Sequence, residues 1–122
     1  MNFDEQAMNI RRGKQGILET FPRAVLKTTD DLSVLYTPGV AQPCREITKD
    51  PDLSFDLTCR GNMIAVVSDG TRVLGLGDIG PEAAMPVMEG KSILFKVFAD
   101  VDAIPICIDE KDPEKFIETV RR

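Results

Sequence analysis

The sequence contains no histidine, so proton transfer by this protein would depend on a lysine, a tyrosine, a cysteine or a carboxylate. Lys91 is the first candidate because it lies in a helical pattern over residues 82–99, in the middle of an apolar stripe, whereas Lys96 points away from it. The stripe consists of Ala84, Val87, Met88, Leu94, Phe95 and Phe98. Burial among such residues lowers the pKa of a lysine and makes it a general base near neutral pH. The alternative is that Lys91 buries only its stem and keeps its ammonium group in water.

Tyr36 is the only tyrosine, and it directly precedes Thr37-Pro38-Gly39, a sequence typical of a rigid bend. A phenol with a pKa of about 10 is a suitable proton donor to a carbanion or an enolate. The alternative is an ordinary half-buried aromatic side chain whose hydroxyl finds one hydrogen-bond partner.

Arg72 follows the turn signal Asp69-Gly70 by two residues, and its guanidinium is suited to bind a substrate carboxylate through two parallel hydrogen bonds. An arginine near a turn is also a common surface residue, so that interpretation stays open. The acidic residues nearby do not have the spacing of metal ligands, and we predict no metal site in this chain. These residues are Asp69, Asp78, Glu82 and Glu89.

A glycine-rich stretch precedes the predicted helix 82–99. Gly75, Gly77 and Gly80 form the pattern G-x-G-x-x-G, which in dinucleotide-binding proteins lets backbone N–H groups approach an anion at a helix N-terminus. Two prolines follow closely, and the first removes one of those N–H donors, so a complete dinucleotide fold is not expected within 122 residues. The alternative is a tight strand-to-helix turn without a ligand.

Helices and strands alternate in the predicted order of elements. The predicted helices are 3–18, 38–49, 82–99 and 113–122. The predicted strands are 62–68, 71–76 and 103–108, and residues 32–36 are predicted to form a short strand or an extended segment. Thr37 is predicted to cap the second helix with Pro38 at its first position, and the strands on either side of Asp69-Gly70 are predicted to form a hairpin. We therefore predict an α/β fold: a small sheet with a β-hairpin and flanking helices, and an N-terminal helical arm at residues 1–22.

The composition limits the class of protein. A length of 122 residues fits one domain, and the net charge of −5 argues against a nucleic-acid partner, which requires a basic surface. There is neither a run of eighteen apolar residues nor a basic, then apolar leader at the N-terminus, so we expect a soluble cytoplasmic protein without a membrane partner. Three widely spaced cysteines are typical of reduced thiols.

Three motifs occur in order along the chain: LYTPGV at residues 35–40, SDGTRVLGLGDIG at 68–80 and MEGK at 88–91. Together they closely resemble the N-terminal domain of malic enzymes of the short bacterial type, and the resemblance covers nearly the whole of residues 1–122. It implies oxidative decarboxylation of L-malate to pyruvate and CO₂ with reduction of NAD or NADP. It also implies that Mg²⁺ or Mn²⁺ assists in the full-length enzyme.

The resemblance also implies roles for individual residues. Tyr36 corresponds to the general acid, Lys91 to the general base, and Arg72 to an arginine that contacts the malate carboxylate. The glycine-rich stretch would lie beside the cofactor, which implies cofactor contacts at Gly75, Gly77, Asp78 and Gly80.

The same resemblance implies that parts of the enzyme are missing from this chain. In the family, the metal-binding carboxylates and the NAD(P)-binding domain follow the last helix seen here. We therefore expect an N-terminal part that is inactive alone and binds no cofactor tightly. We also expect a homodimer formed through an exchanged N-terminal arm.

Two alternatives from other classes remain. A standalone nucleotide-binding module would use the glycine-rich stretch and bind NAD(P) tightly without further domains. A non-catalytic dimerisation module would form stable dimers and bind neither malate nor a cofactor.

Overall fold

The computed structural model describes residues 2–122, which form two compact units. The sheet unit comprises the residues up to Leu18 together with Met63–Arg122, and the helical unit comprises Glu19–Asn62. In chain order, the helices are α1 (Phe3–Arg12), α2 (Thr29–Leu35), α3 (Ala41–Lys49), α4 (Leu53–Leu57), α5 (Gly80–Ala99) and α6 (Pro113–Arg121). The strands are β1 (Met63–Ser68) and β2 (Asp102–Cys107), and one 3₁₀ turn spans Cys59–Gly61.

The two strands of the sheet unit are parallel, with Met63 opposite Asp102 and Ser68 opposite Cys107. Parallel neighbours require a crossover connection, and α5 supplies it, so β1, α5 and β2 form one βαβ unit. The predicted α/β class is therefore confirmed.

The predicted β-hairpin is wrong. Residues 71–76 do not return along β1; they form a tight turn in which the Leu76 N–H donates to the Val73 carbonyl at 2.7 Å. The Asp69-Gly70 signal predicts a hairpin turn, but the Asp69 carboxylate accepts hydrogen bonds from the Thr71 N–H and hydroxyl and closes a local loop instead. The strand that pairs with β1 comes from beyond α5.

The apolar core of the sheet unit lies between α5 and the strands. Its buried hydrophobic residues are Val73, Ala84, Met88 and Ala103. On α5, Ala84, Met88 and Ser92 recur at every fourth residue, which places them on one face of the helix. The Ser92 hydroxyl donates to the Met88 carbonyl at 3.0 Å, so this buried polar group is satisfied within the helix.

In the helical unit, the strand predicted at residues 32–36 is wrong, because this segment belongs to α2. The Thr28 hydroxyl accepts from the Asp31 N–H at 3.1 Å, and the Asp31 carboxylate accepts from the Thr28 N–H at 2.9 Å. This reciprocal capping box starts a helix and outweighs the apolar, partly β-branched composition that favoured a strand.

The start of one helix and the end of another also differ from the prediction. The second predicted helix begins at Ala41, with Val40 as its N-cap, so Thr37 does not cap it and Pro38 is not its first residue; the Thr37–Pro38 peptide is cis. The first predicted helix ends at Arg12 rather than at residue 18, because the chain turns at Gly13–Gly16.

Candidate functional site

Lys91 and Arg72 line one small pocket of the sheet unit. Its volume is about 170 Å³. The remaining lining is mainly apolar and comes from the end of β1, the turn after it and α5: Val66, Val67, Ser68, Val73, Leu74, Val87 and Met88. An arginine and a lysine beside apolar walls suit a small carboxylate, because the guanidinium forms charge-assisted hydrogen bonds with its oxygens.

The burial predicted for Lys91 is wrong for this chain, because the residue is exposed. The face of α5 that packs on the sheet carries Ala84, Met88 and Ser92, whereas the C-terminal part of the predicted stripe is exposed. Lys91 borders that part as well, in an apolar groove lined by Leu94, Phe95, Phe98 and Ala99. A helical wheel identifies which side chains share an apolar face, but not whether another segment packs on that face. In this chain the groove is exposed.

The turn that carries Arg72 is fixed by short-range hydrogen bonds. The Asp69 carboxylate accepts from the Thr71 N–H at 3.0 Å and from the Thr71 hydroxyl at 2.8 Å. These bonds lower the pKa of Asp69 below its ordinary value, the backbone bond contributing most. The Ile79 N–H donates to the Gly70 carbonyl at 3.0 Å and ties the turn to the start of α5. Arg72 therefore leaves a well-anchored backbone, although its own side chain is exposed.

The glycine-rich stretch forms the second half of this connection. Gly75, Gly77 and Gly80 all have positive φ angles of 76°, 76° and 79°, a conformation that favours glycine. A Cβ atom added at Gly75 or Gly77 would meet no other atom within 4 Å, so the backbone of the turn is open to a ligand. The Val73 N–H, however, is used within the turn, where it donates to the Gly77 carbonyl at 3.0 Å.

Asp78, within this turn, forms an ion pair with Lys111 at 2.6 Å. The pair raises the pKa of Lys111 above its ordinary value, mainly through the hydrogen bond with Asp78. Sequence reasoning missed Lys111, which is 33 residues from Asp78, because no local pattern connects the two. The contact links the glycine turn to the segment before α6.

Tyr36 belongs to the helical unit, whereas Lys91 and Arg72 belong to the sheet unit. It follows α2 as the C-cap residue, and its N–H donates to the Leu32 carbonyl at 2.9 Å. Its own carbonyl accepts from the Val40 N–H at 2.7 Å, so the backbone on both sides of the predicted bend is fixed. The Tyr36 side chain is exposed and available to a ligand.

Residues 2–122 contain no cluster of three or more histidine, cysteine, aspartate or glutamate side chains that could hold a metal ion. Within the same range, no helix combines the length and hydrophobicity that crossing a membrane requires. The cysteines are free: Cys44 and Cys59 are exposed, and Cys107 is partly exposed.

Comparison with known families decides the classification. The sequence profile of the family described as "Malic enzyme, N-terminal domain" matches residues 15–120. The chain belongs to the malic enzyme family. The match to this malic enzyme domain includes Tyr36, Arg72 and Lys91, and it begins after α1 has ended.

Individual relatives of this malic enzyme domain agree in sequence and fold. The NAD-dependent malic enzyme of Geobacillus stearothermophilus is 60% identical over 106 residues, which are 87% of this chain and 22% of that protein. The bifunctional malic/malolactic enzyme of Bacillus subtilis is 51% identical over 121 residues, 99% of this chain and 30% of the relative. The crystal structure of malic enzyme from Pyrococcus horikoshii superposes with a TM-score of 0.93 at 48% identity, covering 98% of this chain and 28% of that one. The chain thus spans less than a third of the length of these relatives.

Proposed function

We propose that residues 1–122 are the N-terminal, substrate-binding domain of an enzyme that converts L-malate to pyruvate and CO₂ while reducing NAD or NADP. The observation that carries this proposal is the pocket shared by Lys91 and Arg72, in a chain whose relatives are named NAD- and NADP-dependent malic enzymes. Because the chain spans less than a third of those relatives, the activity is assigned to a longer protein. The 122-residue chain alone is proposed to be inactive.

In this proposal Arg72 holds a carboxylate of malate, because its guanidinium can bind two oxygens in parallel. Lys91 is the general base and takes the proton of the hydroxyl on carbon 2. Lys91 is exposed in this chain. The missing cover would come from other parts of the complete enzyme.

Tyr36 is proposed as the general acid that protonates carbon 3 of enolpyruvate after CO₂ has left. The phenol is the only one in the sequence, it is exposed, and its backbone is fixed on both sides. A phenol remains protonated at neutral pH and can therefore deliver a proton to an enolate carbon.

The glycine turn is proposed to lie against the cofactor through Gly75, Gly77, Asp78 and Gly80. Its open backbone supports a close approach of the nucleotide, while the ion pair of Asp78 with Lys111 fixes the turn. When bound, NAD or NADP would accept the hydride from carbon 2 of malate. Mg²⁺ or Mn²⁺ is proposed to assist the reaction in the full-length enzyme; residues 2–122 contain no group of three or more histidine, cysteine, aspartate or glutamate side chains that could hold it.

We further propose that the protein acts in the cytoplasm as a homodimer in which the start of the N-terminal arm, up to residue 10, reaches the second copy, while Arg11 stays on its own chain. The apolar side chains of Phe3, Met8 and Ile10 are exposed on α1 and need a partner surface. Arg11, at the end of α1, is bonded to Glu89 of its own chain, so the residues before Arg11 are those that would contact the second copy. Sedimentation of the chain with and without residues 2–10 tests this proposal. A monomer at high concentration in both cases would contradict it.

The proposed reaction can be tested with a chimera, in which this chain replaces the segment it matches in the Geobacillus stearothermophilus NAD-dependent malic enzyme. We expect malate-dependent reduction of NAD by the chimera in the presence of Mn²⁺. We expect none by the chain alone, because without the nicotinamide held in place a proximity advantage of up to about 7–11 kcal/mol is lost. Turnover by the isolated chain above that of its Lys91→Ala variant would contradict the proposal that the 122-residue chain is inactive alone. A folded but inactive chimera would contradict the proposed function.

A further inference from the structure

The guanidinium of Arg11, in the last turn of α1, contacts α5 at two points one helical turn apart. Its Nη1 donates to Glu89 Oε2, and its Nη2 donates to the Pro86 carbonyl oxygen at 3.1 Å. The side chains of Arg11 and Glu89 are only 27% and 14% exposed, whereas at least one partner is half-exposed or more in the pairs of Lys49, Lys96, Lys111 and Arg122. A charge-assisted contact that is partly shielded from water constrains its partners more than a surface pair does.

The chain also approaches Glu89 from a second side. After α1 the backbone turns, and Gly16 adopts a φ of +99° directly against the Glu89 carboxylate. A Cβ atom at Gly16 would lie 2.5 Å from Glu89 Oε1, so a side chain there would displace the end of the Glu89 side chain. The Glu89 carboxylate therefore accepts from the Arg11 guanidinium on one side and lies close to the Gly16 backbone on the other.

The part of α5 that these contacts hold is intrinsically weak. Pro86 has no N–H, so the helical hydrogen bond that would end on the Glu82 carbonyl is missing. Gly90 weakens this turn further, because glycine has a lower helix propensity than alanine. Arg11 bridges Pro86 and Glu89, which are three residues apart and share one side of the helix.

Lys91 lies just beyond this bridged turn. At 3.6 residues per turn, two residues rotate the side-chain direction by about 200°, so Lys91 leaves α5 on the side opposite Glu89. That opposite side is where Lys91 lines the pocket with Arg72. The contacts of Arg11 and the pocket residue Lys91 therefore lie on opposite sides of neighbouring turns of α5.

We propose that Arg11 and Glu89 are positioning residues: together with the backbone at Gly16 they form a clasp that orders the turn of α5 carrying Lys91. The clasp acts through the helix and touches no substrate. This inference rests on the proposed function of Lys91 as the general base. Arg11 lies before residue 15, where the match to the family begins, so the N-terminal helix adds a constraint on the site from outside the matched domain.

The ordering step can be measured on the chain itself by amide hydrogen exchange. We expect Arg11→Gln to accelerate exchange at Gly90, Lys91 and Ser92 by about fivefold, since local opening of this turn becomes easier. Arg11→Lys keeps the charge but not the forked geometry, and we expect an intermediate effect. The matched control is Arg12→Gln, a change at an exposed neighbouring arginine, which should leave exchange in α5 unchanged. Equal exchange rates in the Arg11→Gln and Arg12→Gln variants would overturn the clasp.

The positioning step is measured in the chimera with the Geobacillus stearothermophilus enzyme. We expect Arg11→Gln to lower kcat about tenfold while KM for malate stays within about twofold, because a misdirected base slows proton transfer but leaves Arg72 in place. Arg12→Gln should change neither constant. Faster exchange with an unchanged kcat would limit the clasp to a structural role and overturn the positioning. A chimera that is inactive without any substitution would contradict the proposed function instead. The amide exchange measurements on the chain would then be the remaining test of whether Arg11 and Glu89 order this turn.

Discussion

The sheet unit and the helical unit are stabilised by different kinds of contact. The buried hydrophobic side chains among residues 2–122, Val73, Ala84, Met88 and Ala103, all lie in the sheet unit. In the helical unit the buried residue is polar: Ser54 accepts a hydrogen bond from Arg60 at 2.8 Å, and the same arginine stacks on the Phe55 ring. One unit is held by a packed helix and a strand ladder, the other by caps and short-range polar contacts.

This difference indicates how the two proposed proton-transfer groups are supported. Lys91 projects from a 20-residue helix that packs on a sheet, whereas Tyr36 follows a seven-residue helix whose order depends on its cap. Regions with few buried contacts open locally at low free-energy cost, while packed elements open only with the fold. We therefore expect substitutions in the sheet unit to have larger effects than comparable ones in the helical unit.

The largest effect is expected from removal of the proposed base. In the chimera, Lys91→Ala should lower kcat by about 100- to 10,000-fold, the usual range for losing a general base, while the circular dichroism spectrum is retained. The control is Lys96→Ala on the same helix, where the lysine pairs with Asp100 and Asp102 instead of lining the pocket. Equal losses in the two variants would remove the general-base assignment.

A smaller effect on stability should separate the two units directly. Met88→Ala removes a buried side chain from the sheet unit and should lower the free energy of unfolding by about 2–4 kcal/mol. Leu57→Ala removes a half-exposed side chain from the helical unit and should cost less than about 1 kcal/mol. Urea unfolding followed by circular dichroism measures both. A larger loss from Leu57→Ala would mean that the helical unit is more tightly packed than its burial indicates.

The sequence predicts element bounds best where a packed helix or strand of the sheet unit has strong local signals, although the hairpin predicted in the same unit is wrong. α5, β2 and α6 all lie within about two residues of their predicted bounds, because apolar periodicity and proline starts are strong signals there. Segment 32–36 was predicted as a strand because its composition is apolar, and the capping box at Thr28 decided otherwise. The hairpin prediction was wrong because the strand that pairs with β1 is β2, which begins 34 residues after β1 ends. A turn signal between neighbouring segments does not reveal a partner at that distance.

The sequence predicted the identities of the candidate site residues, but not their burial or their long-range contacts. Motifs identified Lys91 and Arg72, and the structure places both at one pocket. The burial of Lys91 was not predictable, because hydropathy does not reveal which apolar face finds a cover. The contact between Arg11 and Glu89 joins residues 78 positions apart, and no local pattern in the sequence connects them.

A weaker perturbation tests the local stabilisation of the helical unit. Thr28→Ala removes the hydroxyl that accepts the Asp31 N–H and should destabilise α2 by about 1 kcal/mol. Amide exchange in α2 should then accelerate while exchange in α5 stays unchanged. Thr29→Ala, one residue further along and not part of the capping box, is the matched control. Equal acceleration in both helices would show that the units are coupled more strongly than this comparison implies.

The smallest expected effect is a response to acid that occurs in both units. Asp31 and Asp69 each have a pKa lowered below the ordinary value of 3.8, mainly by a backbone hydrogen bond, from Lys27 to Asp31 and from Thr71 to Asp69. A carboxyl whose pKa is lower in the folded state stabilises the fold above its unfolded pKa and loses that contribution as pH falls through the folded pKa. The hydrogen bonds accepted by Asp31 and by Asp69 should therefore stabilise their units above about pH 4, and this stabilisation should be lost below that pH.

The two caps should nevertheless respond separately, because they belong to different units. In an NMR titration, the amide resonance of Thr28 should follow Asp31 and that of Thr71 should follow Asp69, each with a midpoint below 3.8. Lys111 also lowers the pKa of Asp69 through its charge, so Lys111→Ala should raise the midpoint seen at Thr71 and leave the one at Thr28 unchanged. Asp69→Asn should abolish the transition seen at Thr71 and leave the one at Thr28 in place. A shift of both midpoints by Lys111→Ala would contradict the independence of the two units.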